Sequence, residues 1–167
     1  MKIKHVYSLF NNLVGEKEQI LKEVSEGKTF QEAFKFDPEQ MKEFFSYGKE
    51  LFFEGRYSDA GDIFFFLIFL NPYVYETWTS FALSEYNQQH YEVADWAFQM
   101  AITLNPLQGR PYLDFIQTLL ERKEWEAAKD ILDLMKVLLP HTHETAAFHD
   151  SASRVRKYIE GELYAEK

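Results

Sequence analysis

Apolar side chains recur along this chain with helical spacing, and no stretch reads as a credible strand. From Met41 to Pro140 they also recur on a longer scale, with a period of 34 residues. In rows that begin at Met41, Tyr75 and Gly109, position 4 is Phe44, Trp78 and Tyr112, and position 7 is Tyr47, Phe81 and Phe115. Position 17 is Tyr57, Tyr91 and Trp125; position 20 is Ala60, Ala94 and Ala128. Position 24 is Phe64, Phe98 and Leu132, and position 32 is Pro72, Pro106 and Pro140. Large residues at positions 4 and 7 share one helical face. Alanine at position 20 lets a second helix approach the first closely, and the aromatic at position 17 packs where the chain turns between them. Proline at position 32 cannot continue a helix interior and separates one hairpin from the next. The pattern predicts three helical hairpins, over 41–74, 75–108 and 109–140.

Period and pattern resemble the tetratricopeptide repeat, a helix–turn–helix unit. One hairpin cannot bury its own apolar face, so neighbours stack into a right-handed superhelix with a concave inner wall. Two positions depart from the pattern. Position 8 prefers a small residue and has Gly48, Ala82 and then Ile116, which predicts a slight splay in the third hairpin. Position 11 has Glu85 where an apolar residue is usual. The expected fold class is all-α: an N-terminal helical segment over 1–36, three repeats within 37–140 and a capping helix within 141–167.

The flanking segments carry their own signals. Val6, Leu9, Phe10, Leu13, Val14, Ile20, Leu21 and Val24 have the spacing of an amphipathic helix over 5–24, weakened at Gly15 and closed by Gly27. Thr29 with Glu32 has the form of a capping box, predicting a short helix over Thr29–Phe36. Asp37, Pro38 and Gln40 mark the next helix start, with Phe36 and Met41 placed as a hydrophobic staple; this helix ends near Gly55. Its partner, over Ser58–Leu70, has Phe65, Phe66 and Phe69 at positions that usually face solvent. A helix apolar on all sides is buried on all sides. Two readings follow: residues 5–36 fold back over it within one chain, or the face is a dimer contact built from Leu9, Phe10, Leu13, Phe65, Phe66 and Phe69. The remaining repeat helices are expected at Tyr75–Gln88, Tyr91–Leu104, Gly109–Arg122 and Glu124–Leu139. Thr142 then caps a last helix, Glu144–Leu163, with an apolar stripe of Ala147, Phe148, Ala152, Val155, Ile159 and Leu163. Arg154, Arg156 and Lys157 are expected to face water.

Composition narrows the function. The chain has 167 residues and no cysteine, which excludes disulfides and thiolate chemistry. Net charge is −9, and residues 41–140 hold 8 basic and 15 acidic side chains, hence −7 of it. An acidic repeat block argues against nucleic acid or an anionic membrane surface. The most apolar run, Ile63–Leu70, is too short to span a bilayer, and Asn11 and Asn12 interrupt any signal-peptide core. The expectation is a soluble cytoplasmic protein. No catalytic constellation emerges. His141, His143 and His149 lack a completing cysteine or ordered carboxylate, so they read as solvated or capping residues, with no metal implied. Glu54, Asp59 and Asp62 sit on the outer face of a helix as a solvated cluster. No glycine-rich phosphate loop follows a strand, and no cofactor is implied.

Function must then come from binding. In a repeat of this kind positions 2, 5, 9, 12 and 13 build the inner wall. Its apolar centre is Phe45, Phe52, Leu83, Tyr86, Leu113 and Leu120. Lys49, Thr79, Asn87 and Gln117 ring it with groups able to hold a peptide backbone, and Phe53 reads either as wall or as core beneath the turn. Such a wall suits an extended segment with apolar anchors, each burying roughly 1.5–3 kcal/mol. The N-terminal segment, three repeats, one closing helix and the phrases Phe44–Arg56 and Tyr57–Ala60 together resemble the class II chaperones of bacterial type III secretion. That resemblance implies a cytoplasmic chaperone for secreted translocators, with Phe45, Phe52, Leu83 and Tyr86 in its groove and an N-terminal helix in homodimer contacts. Chaperoning a secretion regulator, or a general scaffold role, stays open. A carboxylate clamp for acidic C-termini is largely missing, since the clamp positions hold Phe45, Lys49, Arg110 and the opposing acid Asp114.

Overall fold

The structure, a computed structural model, describes residues 17–142 and 145–165. Leu9, Phe10, Leu13, His143 and Glu144 lie outside the described residues. Among the described residues all regular structure is helical: α1 Lys17–Ser25, α2 Phe30–Ala33, α3 Pro38–Phe53, α4 Tyr57–Leu70, α5 Tyr75–Asn87, α6 Tyr91–Leu104, α7 Gly109–Glu121, α8 Trp125–Leu138 and α9 Ala146–Ala165. Helices α3/α4, α5/α6 and α7/α8 are the three hairpins, and α9 closes the array against α7 and α8.

Both anticipated capping boxes form. The Glu32 amide donates to Thr29 Oγ1 at 3.2 Å while the Thr29 amide donates to Glu32 Oε2 at 2.7 Å. The Gln40 amide donates to Asp37 Oδ1 at 2.8 Å and the Asp37 amide to Gln40 Oε1 at 2.9 Å, with Pro38 opening α3. The short helix α2 is only 4 residues long, because Lys35 takes a φ of 58° that ends it.

The hairpin turns share one construction. Position 15 of every repeat is left-handed: Gly55 at φ 77°, Gln89 at 65° and Lys123 at 60°. The next amide then bonds back to position 11, Arg56 to Leu51 O at 2.9 Å, His90 to Glu85 O at 3.0 Å and Glu124 to Leu119 O at 2.9 Å. This is the Schellman closure of a helix C-terminus. Glycine adopts that backbone freely; Gln89 and Lys123 each bear roughly 1–2 kcal/mol of backbone strain.

Links between hairpins are also regular. The Trp78 indole donates to Pro72 O at 2.7 Å and the Tyr112 hydroxyl to Pro106 O at 3.0 Å, so position 4 caps the carbonyl of the preceding position 32. At the last link Thr145 Oγ1 donates to Pro140 O. The core runs unbroken through all three hairpins: Ala60, Ala94 and Ala128 are sealed, as are Phe64, Phe98 and Leu132. Ile116 is fully buried at position 8. The exceptional Glu85 is held in place, accepting from Gln88 Nε2 at 3.2 Å and pairing with His90 Nδ1 at 2.9 Å. Gly61 makes room for it, since a Cβ there would stand 3.0 Å from Glu85 Oε1. Gly109 has the same role for the closing helix: a Cβ would meet Phe148 Cγ at 2.5 Å.

Two expectations for α9 need correcting. Arg156 does not simply face water; it turns inward to pair with Asp133 of α8. Ala147 is exposed and outside the stripe, which runs through Phe148, Ala152, Val155 and Ile159; the Leu163 side chain lies outside the described ones.

The phenylalanine-rich face of α4 is covered from within the chain, in part. Phe69 stacks on Phe30 with centroids 4.4 Å apart, and Phe66 meets Phe36 edge-on at 6.4 Å and Phe44 at 5.6 Å. Asn71 Nδ2 donates to Gln31 Oε1 at 2.8 Å and pins this cover to the exit of the first hairpin. Phe66 is therefore packing within one chain and is withdrawn from the anticipated dimer contact. Phe65 and Phe69 remain 59% and 44% exposed.

Candidate peptide-binding groove

The first helix of each hairpin, α3, α5 and α7, contributes the inner wall, and its apolar floor survives folding. Phe45, Phe52, Leu83, Leu113 and Leu120 are half-buried, rooted in the core while keeping part of their surface free. Position 12 shows why they share a face. Phe52 lies edge-on to Tyr57 at 5.2 Å, and one hairpin later Tyr86 tilts against Tyr91 at 5.6 Å. The same aromatic pair between positions 12 and 17 is thus presented twice, one repeat apart.

Polar groups fix these rings. The Tyr86 hydroxyl donates to Glu121 Oε2, and Gln117 Nε2 donates to Glu121 Oε1 at 3.2 Å. Partial burial, then the Glu121 carboxylate, pushes the Tyr86 phenol up to about 12, so it remains a donor throughout the physiological range. The Arg122 guanidinium covers the Tyr91 ring at 5.1 Å while donating to both oxygens of Asp95 at 2.9 Å. Lys49 Nζ stands over the Phe45 ring at 5.2 Å. Asn87 is exposed, and its Nδ2 donates to Leu83 O at 2.8 Å within α5.

One anticipated contact is lost. Thr79 is buried at 8% exposure and its hydroxyl donates to Tyr75 O at 3.0 Å, so it offers nothing to a peptide. Position 5 is too deep for so short a side chain, whereas Phe45 and Leu113 at the same position reach out. One residue must be added. Phe53 is 83% exposed, edge-on to Phe52 at 5.9 Å, and belongs to the wall. Its equivalence to Asn87 and Glu121 at position 13, all three exposed, was the available signal.

At the N-terminal end the wall deepens into a cleft of about 540 Å³. Met41, Lys42, Phe45 and Lys49 form one side and Val74, Glu76 and Thr77 the other, with Gln31 and Pro38 closing the end. No local pattern points to Gln31, which reaches the cleft because α2 folds back. The clamp reading weakens further: Arg110 Nε donates to both oxygens of Asp114 at 2.8 Å and is neutralised within its own helix. Among the described residues no group of three or more histidine, cysteine or acidic side chains is arranged to hold a metal ion. Likewise no described helix is long and apolar enough to cross a membrane.

No family model matches the sequence, and no curated protein does. Solved structures match the shape. A type III secretion complex from Aeromonas hydrophila superposes with a TM-score of 0.74 over 87% of this chain and 97% of that one, at 15% identity. The Yersinia enterocolitica type III secretion translocator chaperone SycD matches at 0.71 over 79% of this chain and 98% of its own, at 17% identity. The fold is similar to that of this translocator chaperone. SycD has also been solved with a peptide of the translocator YopD. The CopN–Scc3 complex follows at 0.70, with 22% identity over 77% of this chain and 76% of that one. In this tetratricopeptide-repeat fold α3, α5 and α7 are the first helices of the three hairpins and carry the aromatic wall.

Proposed function

We propose that the chain is a cytoplasmic chaperone of type III secretion. It holds an extended segment of a secreted translocator in its concave groove and keeps that protein soluble and competent for export. The observation that carries this reading is the half-buried aromatic wall, on a fold shared with a chaperone solved around a translocator peptide. A segment destined for a membrane is apolar and self-associates in water. Burying its anchors on Phe45, Phe52, Leu83 and Tyr86 blocks that association, and the surrounding negative charge keeps the complex dispersed. Release needs no hydrolysis by the chaperone, only a competing site at the export machinery.

Co-purification from the native cell, with identification of the bound protein, tests the reading. The expected partner is a secreted protein whose captured region contains apolar anchors and is protected from proteolysis while bound. Recovery of folded partners held through polar surfaces would instead favour a general scaffold.

Pairing of two copies through α4 belongs to the same proposal. Phe65 and Phe69 stay exposed, as does Leu21 of α1, and SycD has been solved in an alternative dimer. Light scattering is expected to give a dimer that weakens on Phe65→Glu. The Phe66→Glu change is expected to lower the thermal midpoint instead, because its ring is wedged between Phe36 and Phe44. A wild-type monomer at high micromolar concentration would remove the dimer from the proposal.

A further inference from the structure

A second cavity, of about 640 Å³, opens between α8 and the closing helix α9, away from the aromatic wall. Its floor is apolar, made by Leu132, Leu139 and Ala152. Its rim is cationic in a chain of net charge −9: Lys136 projects from α8, and Arg156 and Lys157 project from α9. Arg156 is already neutralised by Asp133. Lys136 and Lys157 reach no carboxylate within ion-pair distance among the described residues. At the inner end the His141 and His149 rings lie 4.4 Å apart, and His149 Nε2 is buried without a hydrogen-bond partner among the described residues. A buried unpartnered ring nitrogen costs free energy that a ligand can recover. One opposing charge, Glu160, stands on the same wall.

We propose that this cavity is a second binding site, for an acidic peptide segment carrying an apolar side chain. The apolar side chain fills the floor between Leu132 and Ala152. Flanking carboxylates meet Lys136 and Lys157, and a peptide or carboxylate oxygen reaches the His149 ring. Both halves of the ligand are needed. The floor alone would suit any apolar residue, and the two amines alone would hold a carboxylate only weakly in water. A volume within the usual range of ligand sites accommodates one anchor and its neighbours, not a folded domain. The acidic repeat block would repel such a segment from the aromatic groove, so the two sites select peptides of opposite character.

The probe is a dye-labelled synthetic peptide with one leucine between runs of aspartate, titrated into the full chain by fluorescence anisotropy. Its counterpart has asparagine in place of every aspartate. The acidic peptide is expected to bind, with affinity falling as salt rises, and the asparagine peptide is not. Combining Lys136→Glu with Lys157→Glu is expected to weaken binding roughly tenfold or more at an unchanged helix signal. Glu160→Gln is expected to strengthen it, which keeps the test decisive should the double variant fold poorly. Tyr86→Ala is expected to leave this binding as it is. The proposal is overturned if the double variant binds normally, if Glu160→Gln has no effect, or if Tyr86→Ala abolishes binding. It is overturned equally if inorganic phosphate displaces the peptide at matching concentration, which would mark a small-anion site.

Discussion

Replacing Ala94 by glutamate is expected to collapse the array. Ala94 has 0% exposure at the point where α6 crosses α5, and its equivalents Ala60 and Ala128 are as tightly enclosed. A carboxylate there has neither room nor partner, and burying an unpaired charge costs several kcal/mol, a large share of the stability of a domain this size. Position matters as much as chemistry. In a repeat array each unit contacts only its neighbours, so loss of the central hairpin leaves the first and third without a shared core. Thermal unfolding followed by circular dichroism is expected to show a midpoint lowered by many degrees or no folded baseline at all. An unchanged midpoint would mean that the pairing of α5 with α6 has been misread.

Truncating Tyr86 to alanine is the corresponding experiment on the groove. Its ring is half-exposed, braced by Tyr91 at 5.6 Å and tethered through its hydroxyl to Glu121. An aromatic so held loses little rotamer freedom when a peptide docks on it, which is the usual profile of an interaction hot spot. The expected loss is about 2 kcal/mol or more, roughly thirtyfold in affinity for the translocator segment, with helix content retained. Tyr86→Phe keeps the ring and loses only the tether, so its effect is expected to be smaller. Asp62→Lys, on the outer face of α4, is expected to leave binding nearly unchanged. Should Asp62→Lys abolish binding while Tyr86→Ala does not, the substrate lies on the convex side.

How much of this was legible beforehand depended on whether a feature repeats. Positions 4, 7, 17, 20, 24 and 32 recur three times, and the helices that they announce lie within about two residues of expectation. The caps at Thr29 and Asp37 were legible because the chemistry is local: a side chain and an amide three residues on. The left-handed turn residue was legible only at Gly55. Gln89 and Lys123 occupy the same backbone state with side chains that give no sign of it, because the surrounding helix pair imposes the turn. In the candidate groove, spacing grouped the positions of the wall but could not tell how deep each one sits. Thr79 was lost for that reason, and Phe53 was left undecided between core and surface. The fold-back of α2 depends on contacts between Phe30 and Phe69 and between Gln31 and Asn71, too far apart in the chain for local pattern to pair them. The α9 cavity has the same origin, since Lys136 and Lys157 become neighbours only once the closing helix docks.

The two seams of the superhelix are built from different materials. Between the second and third hairpins the Tyr86–Glu121 hydrogen bond and the Arg122–Asp95 pair cross the joint, alongside stacked rings of Phe98 and Phe115 5.1 Å apart. Between the first and second, Phe65 tilts against Phe81 at 5.8 Å, the Trp78 indole donates to Pro72 O at 2.7 Å, and Gln88 Nε2 makes a longer contact to Tyr57 O at 3.4 Å. The first joint is thus mainly a close-packed one, with Gly61 of α4 set tightly against Ser84, Glu85 and Gln88, and the second mainly a hydrogen-bonded and ion-paired one. The cleft at Phe45 and Lys49 therefore opens beside the joint held by close packing, whereas the Tyr86 end of the wall is set by the bonds that cross the second joint.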